Sequence, residues 1–331
     1  MSEFDLTTPV LFLTFNRPDT TIQVFEAIRQ AKPKQLFVAA DGPRADRSGE
    51  EEKCEEVRQI ATKVDWDCEI KTLFREKNLG CRIAVSSAID WFFENVEEGI
   101  ILEDDCLPHP TFFCFASELL KYYRDDKRIM CISAQHFHRD AHKTEHSYFF
   151  SRYNHCWAWA SWRRAWSYYD YEMSQWPALR ATDWLLSIGD GSKSFQNYWK
   201  RIFNTAYAGK IDSWAYRWTL SCWAQSGLTI LPTVNLVRNI GFDCRATHCT
   251  KGNDIISNSP LQEIRFPLNH PPTMVRDVEA DVWEDRNVFR ITAVINMMQR
   301  IYATQVCKSL IASPVWKLLV ASKRLLRNLN R

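Results

Sequence analysis

The first 135 residues alternate short apolar runs with amphipathic stretches, and that order leaves few folds open. Val10-Leu11-Phe12-Leu13 and Leu36-Phe37-Val38-Ala39-Ala40 contain no polar residue, as expected of strands buried on both faces. Glu69 to Phe74, Gly99 to Leu102 and Ile129 to Ile132 read as three more strands. Helices are predicted between them. The first begins at Pro18, a residue suited to a first turn, with Ile22, Phe25, Ile28 and Arg29 at helical spacing. A charged helix covers 48–64. A third, 80–96, carries Ile83, Ala84, Ser87, Ala88 and Trp91 on one face, and a fourth covers 110–124. Such alternation predicts an α/β fold: a mostly parallel sheet with helices on both faces. Ligands of such sheets bind beyond the carboxyl ends of the strands. Here those ends carry Asn16-Arg17, Asp41-Gly42 and Glu103-Asp104-Asp105.

The second half has weaker periodicity. Helices are predicted near 161–170, 181–188, 194–209 and 214–226, with extended pieces near 228–231 and 234–238. The proline-bearing stretch 245–276 reads as a loop or arm, and two helical stretches, 279–303 and 305–329, follow. Ten of the 14 tryptophans fall between Trp157 and Trp223. They suit an aromatic core or stacking platforms for a sugar or base, and composition does not choose.

Composition excludes several classes. Lysine and arginine total 42 against 40 acids, a net charge of +2, so no global basic field for nucleic acid exists. No apolar run approaches the ~18–20 residues of a membrane span, and MSEFDLTTPV does not read as a signal peptide. The 11 cysteines are odd in number, scattered and without a C-x-x-C pair, and read as reduced thiols of a cytoplasmic protein.

Glu103-Asp104-Asp105 is the strongest chemical signal. Three adjacent carboxylates repel one another after a buried strand, and a hard divalent cation, Mg2+ or Mn2+, relieves that repulsion. A following helix N-terminus would also favour negative charge, but Pro108 and Pro110 separate the acids from it. With only 10 glycines there is no glycine-rich phosphate loop of either common type. A bound diphosphate would therefore depend on a metal and on basic side chains such as Arg17, Arg44, Lys77 and Arg82.

In order, Thr14-Phe15-Asn16-Arg17-Pro18, Asp41-Gly42, Asn78-Leu79-Gly80 and Ile101-Leu102-Glu103-Asp104-Asp105 resemble a GT-A glycosyltransferase. The Glu-Asp-Asp form resembles the N-acetylglucosaminyltransferase I family, and the whole order resembles bacterial hemolysin-like sugar-nucleotide transferases. The resemblance covers residues 8 to about 250. It implies a Rossmann-like GT-A domain whose residues 1–135 bind the nucleotide sugar and whose residues 136–278 form the acceptor and catalytic half, with C-terminal helices over 279–331. It implies that Asp41 meets the base or ribose and that Arg17, beside Asn16, meets the diphosphate or base. Asp105 would bind the metal, and Glu103 and Asp104 would meet ribose and donor sugar. Asn78, Gly80, Arg82 and Arg44 would line the nucleotide pocket. His248 would complete the metal site.

The implied reaction is inverting transfer of a sugar from a nucleoside diphosphate, UDP foremost, to an acceptor hydroxyl, with a carboxylate as base. Relatives carry that acid within a pattern resembling Asp-Thr/Ser-Trp-Asp-Tyr-Gln/Arg-Trp. This chain reads Asp212-Ser213-Trp214-Ala215-Tyr216-Arg217-Trp218, with Ala215 at the acid's position. Asp212 remains, as a base or as the N-cap of a helix over 214–218. The Trp-rich stretch with Trp157 and Trp159 reads as the floor of the sugar pocket or as an aromatic turn in the core. Two other readings stay open. One is a catalytically silent sugar-nucleotide or glycan-binding protein. The other is a nucleotidyltransferase, which would want a glycine- and lysine-rich loop. Residues 305–331 hold six Lys or Arg and no acid, opposite a face of Val315, Leu318, Leu319, Leu325, Leu326 and Leu329. Such a helix, over 312–331, would dock on an anionic membrane surface near a lipid-linked glycan acceptor, or pack on the domain. A cytoplasmic enzyme, peripheral at the inner membrane, is the corresponding expectation.

Overall fold

The computed structural model describes residues 5–138, 144–241 and 259–291. Strands β1 (Val10–Thr14), β2 (Gln35–Ala40), β3 (Glu69–Phe74) and β4 (Glu98–Glu103) are linked by helices α1 (Pro18–Ala31), α2 (Glu50–Ala61) and α3 (Gly80–Asn95). They pair in parallel in the order β3-β2-β1-β4. Every residue of β1 is buried, with Leu11 between Phe37 and Ile101. The edge strand β3 is half exposed and carries Glu69 and Lys71, charges that discourage pairing with another chain. From β1 to β3 the chain advances one way across the sheet, then it crosses back to β4. Right-handed crossovers put α1 and α2 on one face and α3 on the other. The reversal leaves a crevice between the carboxyl ends of β1 and β4.

The rest of the described chain is β5 (Cys106–Pro108), α4 (Pro110–Tyr122), β6 (Ile129–Ser133), β7 (Tyr148–Ser151), β8 (Trp159–Trp162), α5 (Arg163–Trp166), α6 (Trp176–Leu179), α7 (Trp184–Ile188), α8 (Lys193–Tyr207), α9 (Ala215–Ala224), β9 (Leu228–Pro232), β10 (Val237–Asn239) and α10 (Val278–Asn287). The sheet grows to eight strands, β3-β2-β1-β4-β8-β6-β9-β7, and β10 pairs with β5. The α/β architecture is as the sequence predicts: a large, mostly parallel sheet flanked by helices.

Three expectations need correction. The helix expected over 161–170 begins as strand β8, which is antiparallel to both β4 and β6, with Ala160 opposite Ile100 and Ile132. Only Arg163–Trp166 is helical there. The helix expected over 279–303 is broken in its described part: it runs to Asn287, Arg290 takes a left-handed φ of 52°, and 292–303 lie outside the described residues. Ile22, grouped by helical spacing with Phe25 and Ile28, is 55% exposed, and Thr20, Thr21 and Val24 are buried beside those two instead. His248 and the segment 292–331 lie outside the described residues. Among the described residues no helix is long and apolar enough to cross a membrane.

The tryptophans mostly build the core. Of the ten between Trp157 and Trp223, eight are buried, so the stacking-platform reading fails for most of them. Trp159, Trp166, Trp214 and Trp218 form one cluster, with ring centroids 5.0–6.2 Å apart. Trp199 and Trp223 form another with Phe195 and Phe203.

Candidate functional site

The carboxyl ends of β1, β2 and β4 open into a cavity of about 1230 Å³. Asn16 and Arg17 reach it from the start of α1, and Asp41 and Arg44 from the turn after β2. Glu103, Asp104 and Asp105 reach it from the end of β4. Asn78 and Gly80 line it at the start of α3, and Trp157, Asp212 and Ala215 close it from the second half. Three predicted residues stay off its wall, Lys77 among them. Trp159 is fully buried against Trp214 and Trp166. Arg82 lies over the Tyr171 ring, with its Nε 4.0 Å from Asp212.

The acid triplet spans the crevice. The Phe15 amide donates to Asp104 Oδ2 at 3.0 Å, and Arg17 Nη1 lies 3.2 Å from Asp105 Oδ2. Strand β5, not a helix, follows the triplet, so no helix N-terminus explains these acids. Burial, then repulsion from Asp105 and Asp104, pushes the Glu103 carboxyl up to about 8, against the pull of Arg17. Burial, then Asp105, pushes Asp104 up to about 7, opposed by the Phe15 amide. The chain after β10 crosses directly over Asp105. Ile240 donates its amide to the Asp105 carbonyl at 2.8 Å, and a Cβ on Gly241 would sit 2.4 Å from Asp105 Oδ2 and 2.6 Å from Arg17 Nη1. Glycine is what lets the backbone approach this close.

Asp41 is already committed to its own loop. Its carboxylate accepts from the amides of Gly42, Leu79 and Gly80 and from Asn78 Nδ2, at 2.9–3.2 Å. Burial pushes its pKa up, with those amides pulling the other way. The side chain therefore holds the Asn78-Leu79-Gly80 turn against β2, and Asn78 and Gly80 owe their place on the wall to it.

Asp212 does not cap the helix that follows it. Its oxygens accept from the amides of Cys81 and Arg82, 3.0 and 3.2 Å away, at the start of α3. Gly80, at φ +77°, has no room for a Cβ, which would meet Asp212 Oδ2 at 2.8 Å. Ala215 opens α9 and presents only a methyl to the cavity.

Two wall residues have no obvious mark in the sequence. Glu50, at the start of α2, accepts from Asn16 Nδ2 at 2.8 Å and from the Arg44 amide at 2.7 Å, and pairs with the Arg44 guanidinium. The Arg44 side chain is the main reason its carboxyl sits at about 2. Its only cue is its place within the charged helix expected over 48–64. His155 sits between β7 and β8, with its Nε2 2.7 Å from Glu284 Oε2 on α10.

No protein-family model matches the chain, and no curated protein matches it by sequence. Solved structures with some backbone similarity include a cytidylyltransferase from Leptospira borgpetersenii serovar Hardjo-bovis, 11% identical over 49% of this chain and 63% of that one, with a TM-score of 0.30. HddC from Yersinia pseudotuberculosis is 9% identical over 47% of this chain and 77% of that one, with a TM-score of 0.29. A UDP-glucose pyrophosphorylase complexed with UDP-glucose is 12% identical over 44% of this chain and 62% of that one, with a TM-score of 0.25. The match thus spans under two thirds of the first and third of these chains. Likenesses this distant carry no functional inference.

The geometry itself limits what the site can do. Among the described residues, no group of three or more His, Cys, Asp or Glu is arranged to hold a metal alone. Magnesium-type sites commonly use one or two carboxylates and complete their shell with substrate phosphates and water. Asp105, on the wall beside the positive Arg17, fits that pattern. The cavity exceeds the ~300–1,000 Å³ of a typical small-ligand pocket, so it has room for two substrates.

Proposed function

We propose that the chain is a metal-dependent glycosyltransferase that moves a sugar from a nucleoside diphosphate, most simply UDP, to an acceptor hydroxyl in bacterial glycan or polysaccharide synthesis. The observation that carries this reading is the meeting of Arg17 with the half-buried Glu103-Asp104-Asp105 triplet at the crevice between β1 and β4. An acid-rich crevice repels a bare diphosphate. One that also offers a guanidinium and accepts a cation can hold it.

Asp105 would ligand Mn2+ or Mg2+, and Arg17 would face a diphosphate oxygen. The cation, when bound, neutralises charge that develops on the leaving diphosphate. Asn16 and Arg44, both tied to Glu50, line the wall near the strand ends where the nucleoside is expected. The triplet's other acids are available to sugar and ribose hydroxyls. Attack from the face opposite the diphosphate inverts the anomeric centre.

Calorimetry of UDP with and without Mn2+ tests the reading. Metal-dependent binding in the natural chain, lost in Asp105→Ala, supports it, and equal affinity in both proteins overturns it. One observation favours a second reading, a silent nucleotide-sugar binder: Ala215 supplies no acid and the Asp212 oxygens are held by α3. Hydrolysis of UDP-sugars separates the two, because a silent binder retains UDP without turnover. Pyrophosphate release from UTP and a sugar 1-phosphate would make the chain a nucleotidyltransferase instead.

A further inference from the structure

Among the described residues, the cavity wall holds one histidine. His155 lines the same cavity as Asp105 and Ala215. Its Nε2 is taken by Glu284, at 2.7 Å, which leaves Nδ1 as the ring's other nitrogen. Phe137 packs edge-on against the ring with centroids 4.9 Å apart, and Tyr153 stacks at 6.1 Å. The ring orientation is therefore set from three sides. Glu284 is 1% exposed, and its other oxygen lies 3.7 Å from His138 Nε2. Burial would push this carboxyl up, but His155, then His138 and His136, outweigh it and hold the group below its ordinary range. A buried anion thus stands behind a cavity-facing imidazole. Helix α10, which carries Glu284, is pinned by Arg152 to Asp285 at 2.7 Å and by Ser151 to Asp281 at 2.5 Å.

We propose that His155, oriented by Glu284, is the general base that takes the acceptor's proton, in the role for which position 215 offers no acid. This rests on the glycosyl-transfer reading. With the neutral ring's proton on Nε2, donated to Glu284, Nδ1 accepts. The acceptor O–H gives its proton to Nδ1, and the oxygen's electron pair forms the bond to the anomeric carbon. The bond from that carbon to the diphosphate oxygen breaks, and its pair leaves with the nucleoside diphosphate. The imidazolium later returns its proton to water. His155 is the catalytic residue, and Glu284 is a positioning residue that also stabilises the imidazolium. The other wall carboxylates suit the task less: Asp41 accepts from four donors, Glu50 is paired with Arg44, and Asp212 caps α3.

The test is hydrolysis of UDP-glucose, UDP-galactose and UDP-N-acetylglucosamine with Mn2+ across pH, beside UDP calorimetry. Water is then the acceptor. The charged and titratable groups around the dyad are Glu284, Asp281 and Asp285 on α10, Arg152 and Tyr153 after β7, and His136 and His138 after β6. The rate of the natural protein should rise with pH along one limb as the imidazole loses its proton. His155→Gln should lose that limb and ~10²–10⁴-fold in rate, with UDP affinity within about twofold, and imidazole should restore turnover to His155→Ala. Glu284→Gln should move the limb to lower pH, because the anion that favours the imidazolium is gone. A natural-protein profile without the limb overturns the proposal even if no variant folds. So does unchanged hydrolysis in His155→Gln, or UDP binding by the natural protein without hydrolysis of any donor. Failure of the natural protein to bind UDP at all overturns the donor reading first, and this proposal with it.

Discussion

Asp212 accepts a hydrogen bond from the backbone amide of Cys81 at 3.0 Å, across a sequence separation of 131 residues. One carboxylate thereby fastens the segment before α9 to the first turn of α3, two parts of the cavity wall. Helix caps of this kind contribute roughly 0.5–2 kcal/mol. Asp212→Ala should lower the melting temperature by a few degrees and leave UDP-sugar hydrolysis within about tenfold of the natural rate. A loss of a thousandfold, in a variant that melts normally, would make Asp212 the base.

Glu50 predicts an acid-side dependence of stability. The Arg44 pairing holds its carboxyl at about 2, below its ordinary 4.5. A depressed carboxyl stabilises the fold above the unfolded-state pKa, and that stability is lost as pH falls through the folded value. Urea unfolding between pH 5 and 2 should show a slope that Glu50→Gln reduces. Parallel curves for the two proteins would contradict the pairing.

The triplet predicts the opposite sign. Glu103 and Asp104 are pushed up to about 8 and about 7. A carboxyl raised on folding contributes stability below its unfolded-state pKa and loses it as pH climbs through the folded one. Without metal, the melting temperature should fall between pH 5 and 8, after correction for other groups by comparison with Glu103→Gln/Asp104→Asn. Mn2+ should raise it more at pH 8 than at pH 5. Chelation should remove that gain, and a metal effect independent of pH would argue against a site on these acids.

Trp157 and Trp159 should separate cleanly. Trp159 is fully buried in the Trp166–Trp214–Trp218 cluster, whereas Trp157 lines the cavity. Trp159→Ala should cost about 3–5 kcal/mol in denaturant unfolding. Trp157→Ala should cost far less and instead weaken nucleotide-sugar binding by calorimetry. Equal destabilisation by both would mean Trp157 is also core.

The basic C-terminal stretch yields a prediction from sequence alone. Residues 305–331 hold six Lys or Arg and no acid, and as a helix they would set these opposite Val315, Leu318, Leu319, Leu325, Leu326 and Leu329. Full-length protein should float with vesicles of anionic lipid at low salt, and a chain ending at Ala312 should not. Equal partitioning of the two would remove the membrane-docking idea.

What the sequence revealed and what it hid follow from the range of the contacts. β1, β2 and β4 were legible because a strand buried on both faces is apolar at every position, and the acids stood out at the end of such a run. β8 was misread because Trp159-Ala160-Ser161-Trp162 is short and lacks a β-branched residue, and only pairing with β4 and β6 makes it a strand. Asp212 looked like a local cap because capping is read over three or four residues, while its partners lie on another helix. The His155–Glu284 pair joins positions 129 residues apart, and no local pattern signals it.

Gly241 makes position 241 a steric gate on chemistry it does not perform. A methyl there would collide with Asp105 and Arg17 together, displacing the proposed metal ligand and the proposed diphosphate partner in one move. Gly241→Ala would blunt the site while leaving every charge in the crevice intact, so it separates the shape of the crevice from its electrostatics. At this one position, backbone clearance rather than side-chain chemistry limits which sequences can keep the crevice open.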